Sequence, residues 1–210
     1  AVLALPVALL LVYNTRIAPA VPTRLAARIA SIGYAIPGSI IAVGVLLILG
    51  WTDHVLDIFL PLDFLLSGTL AALVFAYLTR FLTLPTQAIE SGLSRIAPSL
   101  DQAGRTLRAG PLAILGRIHF PLLRASTLAA GLLVFVEVLK ELPATLIIRP
   151  FNFDTLAVRV YQLASDERFN EAAAPALLIV LSGLIPVLLL SRMMGSARKV
   201  SVESSPDPEP

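Results

Sequence analysis

The sequence has no cysteine, only two lysines (Lys140 and Lys199), two histidines and a 14% share of charged residues. Without cysteine there is no disulfide framework, no thiol nucleophile and no thiolate metal site. Neither lysine stands in a Gly-x4-Gly-Lys-Ser/Thr phosphate loop, because Leu139 precedes one and Arg198 the other. There is no GxSxG elbow and no HExxH pair. His54 and His119 have no supporting pattern that would give a nucleophile a base in reach. His54 lies between Asp53 and Asp57 but lacks a fourth ligand, so a solvated turn is expected there and no metal. These absences leave no catalytic residues, no cofactor and no nucleic-acid partner to expect. A soluble domain carries about 25% charged residues, whereas hydrophobic residues here reach 57%. That balance belongs to an integral membrane protein.

What is present is a set of long apolar runs. Ala1–Val12 is too short as a helix, about 18 Å, for a hydrocarbon core of about 30 Å, and is expected to be the truncated end of a spanning helix. A polar connector follows over 13–28. Ile29–Leu49 is expected to span the membrane, with Pro37 kinking it and Gly38 and Ala42 forming a close-contact face. Residues 51–59 read as a loop, 60–82 as the next span with Asp63 near its start, and 122–142 and 172–190 as two more. Residues 143–170 are broken, with Thr155 or Asp154 capping a short amphipathic helix. The expected fold is an all-α polytopic bundle of about five hydrophobic segments. Its transmembrane domain covers 1–192, and 193–210 form a structureless tail.

One polar interruption, 84–122, organises the rest. Within it Pro98 suits a first helical position, Asp101 the first turn, and Arg105 and Arg108 the end before Gly110-Pro111. At about 100° per residue Leu100, Ala103, Gly104 and Leu107 fall in one narrow stripe. That stripe is too shallow for a core, and Gly in mid-helix costs about 1 kcal/mol against Ala, so a close-approach docking surface is expected.

The run from Gln102-Ala103-Gly104 to Ile118-His119-Phe120-Pro121 resembles the Glu-Ala-Ala loop of ABC importer permeases, EAA-x3-G-x9-I-x-L-P. Ala103, Ile118 and Pro121 match, while Gln102, Gly104, Arg108 and Phe120 depart from it. The downstream run from Lys140-Glu-Leu-Pro-Ala-Thr to Tyr161, with Ala164-Ser-Asp-Glu167, resembles the C-terminal half of the ferric-iron-type members. The resemblance implies a permease subunit in a bacterial inner membrane. Its partners would be an ABC ATPase dimer, a periplasmic substrate-binding protein and a second permease half, fused or separate. Leu100, Gln102, Ala103, Gly104, Leu107, Arg108, Ile118 and Pro121 would then form the ATPase-coupling element. Ferric iron is the cargo the resemblance favours, with thiamine, sulfate and polyamines left open.

Two further readings come from charge. Glu137 and Glu141 are a helical turn apart near the end of an apolar segment, where they either line a pathway or snorkel to the interface. A secondary transporter using both acids is the rival function, and inverted repeats would mark it. Twelve basic residues gather on the side of the 13–28 connector, the 84–122 loop and the C-terminus, against Lys140, Arg149, Arg159 and Arg168 opposite. The first side, C-terminus included, is therefore expected to be cytoplasmic.

Overall fold

The computed structural model describes residues 1–17, 20–59 and 65–203. Its helices are α1 (Ala4–Ile17), α2 (Val21–Ala30), α3 (Gly38–Phe59), α4 (Leu70–Phe81), α5 (Thr83–Ser94), α6 (Pro98–Thr106), α7 (Pro111–Ile114), α8 (Phe120–Leu139), α9 (Pro143–Ile148), α10 (Leu156–Ser165) and α11 (Phe169–Glu203). A π-helical segment, Leu115–His119, joins α7 to α8. Gly38–Phe59, Pro111–Leu139 and Phe169–Leu189 are long and apolar enough to cross a membrane. Taken as one span bent by 46°, α4 and α5 make a fourth, while α1 is apolar but shorter. The molecule is a multi-pass helical membrane bundle.

Proline sets several boundaries that differ from expectation. The span expected over 29–49 begins instead at Gly38, because Pro37 stands just ahead of α3, where its missing N–H breaks no bond. That helix runs on to Phe59, so Trp51, Asp53, His54 and Asp57 are helical rather than in a loop. Asp53 is buried, and its carboxylate accepts the Leu66 and Ser67 N–H groups at 2.8 and 3.0 Å, tying the end of α3 to the approach to α4. Pro85 lacks a donor and crowds the carbonyl four residues back, at Phe81, where α4 stops. The interruption expected from residue 84 is thus helical as far as Ser94, and α2 replaces much of the expected connector. Helical backbone continues through the expected tail as far as Glu203. Pro19, Asp63 and residues 204–210 lie outside the described residues.

Two helix starts follow from their caps. The Thr69 hydroxyl accepts the Ala72 N–H at 3.3 Å, and Thr155 accepts Val158 N–H at 3.4 Å, as expected for α10. Small residues let the spans approach closely. Ala42 of α3, Ala72 and Ala76 of α4 and Ala144 of α9 are buried together with Ile41, Val45, Leu73 and Ile148. A second cluster joins Ala8 and Val12 of α1, Ile89 and Leu93 of α5, and Leu123 of α8. Close van der Waals contact of this kind, rather than exclusion of water, holds membrane helices together.

Candidate functional site

The candidate site has two parts, at the loop and within the bundle. At the loop, α6 begins at Pro98 and carries Asp101 in its first turn, as expected. The Asp101 carboxylate is where three elements meet. Arg16, at the end of α1, donates through Nε to Asp101 Oδ2 at 2.7 Å. The same guanidinium donates to the Leu93 carbonyl at 2.6 Å and the Ile96 carbonyl at 3.0 Å, which are exposed by the end of α5. His119 is fully buried, with Nε2 2.6 Å from Asp101 Oδ1. The two atoms are close enough to interact, and the contact is an ion pair only when the imidazole is protonated. The Tyr13 ring packs edge-on to His119 at 5.3 Å, and its hydroxyl donates to the Pro111 carbonyl at 2.7 Å. One carboxylate therefore fastens α6 to α1, α5 and the π segment.

The Glu-Ala-Ala-like residues divide between two faces. Gly104 is buried, and a Cβ there would meet Ile114 Cγ1 at 2.9 Å and Ile118 Cδ1 at 3.4 Å. Its close approach within the chain is thus to Ile114 of α7 and Ile118 of the π segment. The α7–π segment folds back under α6 and takes up the space that the missing side chain leaves. Leu100, Gln102, Ala103 and Leu107 stay exposed, Leu107 at 82%. Arg108 has φ 56°, the left-handed region, and Ala109 donates to the Gly104 carbonyl at 3.0 Å to close the helix end. This is the position where the resembling pattern has glycine, which enters that region without strain. Ile118 is half-buried beneath Gly104, and Pro121 opens α8 on the exposed side.

The second part lies inside the bundle and corrects the reading of the two acids. Helix α8 ends at Leu139, and the chain turns at Lys140, so Glu137 and Glu141 do not share a helical face. Glu141 is buried rather than interfacial. Its Oε2 lies 3.2 Å from Arg80 Nε, off the ideal hydrogen-bond line, and its Oε1 accepts the Ala144 N–H at 3.0 Å, capping α9. Arg80 also donates to the Ile36 carbonyl at 3.0 Å, and the Tyr77 and Thr145 hydroxyls share a hydrogen bond of 2.5 Å. A Cβ on Gly38 would lie 2.6 Å from Glu141 Oε1 and 2.7 Å from Arg80 Nη1, so the absent side chain is what admits the pair. Glu137 is half-buried, accepts the Tyr34 hydroxyl at 3.2 Å and pairs with Lys140 Nζ at 2.8 Å. That hydrogen bond holds the Lys140 ammonium above its ordinary pKa. Among the described residues no cluster of three metal-ligating side chains forms.

Sequence reasoning missed Arg16, Tyr13, Arg80 and Gly38 as parts of these sites. An arginine at the edge of an apolar run was the available signal for Arg16 and Arg80, because a charge at membrane depth calls for a partner.

No family model matches the chain. It is 29% identical over 127 residues to FbpB 2 of Haemophilus influenzae, an Fe(3+)-transport system permease protein, covering 60% of this chain and 25% of that one. It is 27% identical over 195 residues to the ferric transport permease FbpB of Actinobacillus pleuropneumoniae, covering 86% and 28%. A 2-aminoethylphosphonate transport permease of Salmonella typhimurium, PhnV, described as putative, is 28% identical over 61% of this chain. The chain thus spans about a quarter of the length of the ferric-type relatives it matches. The fold agrees with a solved bacterial ABC transporter that imports alginate, at TM-score 0.66 over 94% of this chain and 12% identity.

Proposed function

We propose, from the premise that this chain is a homologue of ferric-type ABC importer permeases, that it is a permease subunit of such an importer. It would form part of the translocation pathway for ferric iron delivered by a periplasmic binding protein. ATP hydrolysis takes place on a separate ATPase dimer, and a second permease half completes the channel. The protein lies in the inner membrane with α6 and the C-terminus on the cytoplasmic side, a placement that the distribution of arginine supports. The observation that carries this reading is the fastening of α6. Its inner face is bound to the bundle through Asp101 and Gly104, which leaves Leu100, Ala103 and Leu107 as a short apolar patch facing out. A patch anchored in this way passes a push from a docked subunit to α1, α5 and α8 together. Glu137 remains the pathway candidate, whereas Glu141 has its carboxylate occupied by Arg80 and Ala144, which disfavours an ion-coupled carrier needing both acids.

The test is copurification with the cognate ATPase in detergent. Leu107 is exposed, so Leu107→Asp leaves insertion and folding intact and is expected to weaken ATPase association at least about tenfold, the effect of desolvating one charge in an apolar contact. Full association by Leu107→Asp, or no ATPase bound to the parent chain, overturns the reading.

A further inference from the structure

Helix α2 has no buried residue, although it connects two apolar helices. At about 100° per residue Val21, Leu25, Ile29 and Ile32 fall within an arc of about 80°, and they are 80%, 55%, 61% and 54% exposed. Arg24 and Arg28 stand directly beside that arc. They line a pocket of about 370 Å³ between α2, α1 and α5, together with Thr15, Ser31, Gln87 and Glu90. Neither arginine forms an ion pair among the described residues, although both face this polar space. The Thr83 hydroxyl donates to the Ala30 carbonyl at 2.8 Å, which fixes the end of α2 against the start of α5. The pocket lies near the end of α1 where Arg16 holds the loop.

We infer that this pocket binds the phosphodiester headgroup of an anionic glycerophospholipid, whose acyl chains lie along the adjacent Val21–Ile32 stripe. The stripe on a multi-pass membrane protein belongs among acyl chains, and an arginine fork at its edge meets the lipid at the level of its phosphate. Charge selects among lipids. Two arginines against the single carboxylate of Glu90 leave one positive charge, which a phosphatidylglycerol-type monoanion neutralises and a zwitterionic lipid does not. Thr15, Ser31 and Gln87 supply hydrogen-bonding groups for the glycerol hydroxyls. The inference rests on the membrane fold and not on the transport reading.

Native mass spectrometry of the delipidated full chain, titrated with dioleoylphosphatidylglycerol or dioleoylphosphatidylethanolamine, tests it. The anionic lipid is expected to be retained more tightly, and each arginine to contribute roughly fivefold. Arg24→Gln/Arg28→Gln should therefore weaken phosphatidylglycerol binding about twenty-five-fold, to the level of the ethanolamine lipid, while Arg95→Gln changes nothing. Glu90→Gln should strengthen it and decides the matter if the double variant fails to fold. Equal retention of the two lipids by the parent chain, unchanged binding in the double variant, or no gain from Glu90→Gln overturns the site. Displacement of the lipid by millimolar inorganic phosphate would assign the pocket to a free anion and overturn the lipid as well.

Discussion

Two positions show how a single residue carries more than its composition reveals. Gly38 is the clearance that lets Arg80 meet Glu141, and both atoms that a Cβ would strike are already tied, to the Ile36 carbonyl and the Ala144 N–H. Neither can retreat cheaply, so Gly38→Ala is expected to cost about 1–3 kcal/mol, the usual range for overpacking. Thermal unfolding in detergent, followed by the fluorescence of Trp51, checks it; an unchanged midpoint would mean that the pair has slack. Arg108 gives the opposite sign. Its left-handed φ costs a side-chain-bearing residue about 1 kcal/mol that glycine avoids, so Arg108→Gly is expected to raise the midpoint correspondingly. The departure from the Glu-Ala-Ala pattern was visible in the sequence at Arg108, but its cost was not, because φ is a property of the folded loop end. Glu137 and Glu141 were legible as charges needing partners. Their separation was not, because Leu139 rather than Pro143 ends the helix, and nothing in an apolar run marks that residue.

Among the elements, helix starts were legible where a proline or a cap marked them, as at Thr155 and Pro98, whereas Pro37 was read as a kink within a span and instead stands just ahead of α3. Less legible was α5, whose polar composition masks a helix that buries Ile89 and Leu93 on one side and lies against α8. Its continuity is local, set by the Pro85 break, while its burial depends on partners distant in sequence. The same holds for the fastening of α6, built from residues 13, 16, 101 and 119. Asp101→Asn keeps the shape and removes the charge that Arg16 and His119 meet. Charge-assisted hydrogen bonds contribute about 1.5–3 kcal/mol, so opening of α6 should become roughly tenfold to a hundredfold more frequent. Hydrogen exchange over 98–106 in the reconstituted protein reads this directly, with exchange in α3 and α4 as the control. Unaltered protection of α6 would place the anchor in the Gly104–Ile114 packing alone.

At the scale of the whole molecule, the topology proposed from the distribution of arginine is one that labelling can test. Cysteines at Ser94 and Phe151, both exposed and far apart along the chain, are expected to react differently with an impermeant thiol reagent added to intact cells. Phe151→Cys should label and Ser94→Cys should not. Labelling at Ser94 reverses the orientation of every helix. Phe151 is preferable to its neighbour Asn152, whose φ of 59° would strain a cysteine. The run Pro111–Leu139 crosses as one continuous span. It is a rod about 43 Å long, closely packed near its midpoint, where a Cβ on Gly92 of α5 would lie 2.7 Å from Ser126 Oγ and 2.9 Å from Leu123 Cδ2. A fulcrum there leaves arms of about 22 Å towards Pro111 and about 20 Å towards Leu139. A tilt of about 10° then swings the two ends about 3–4 Å in opposite senses. The π segment sits in the arm nearer the loop, and Glu137 near the tip of the other.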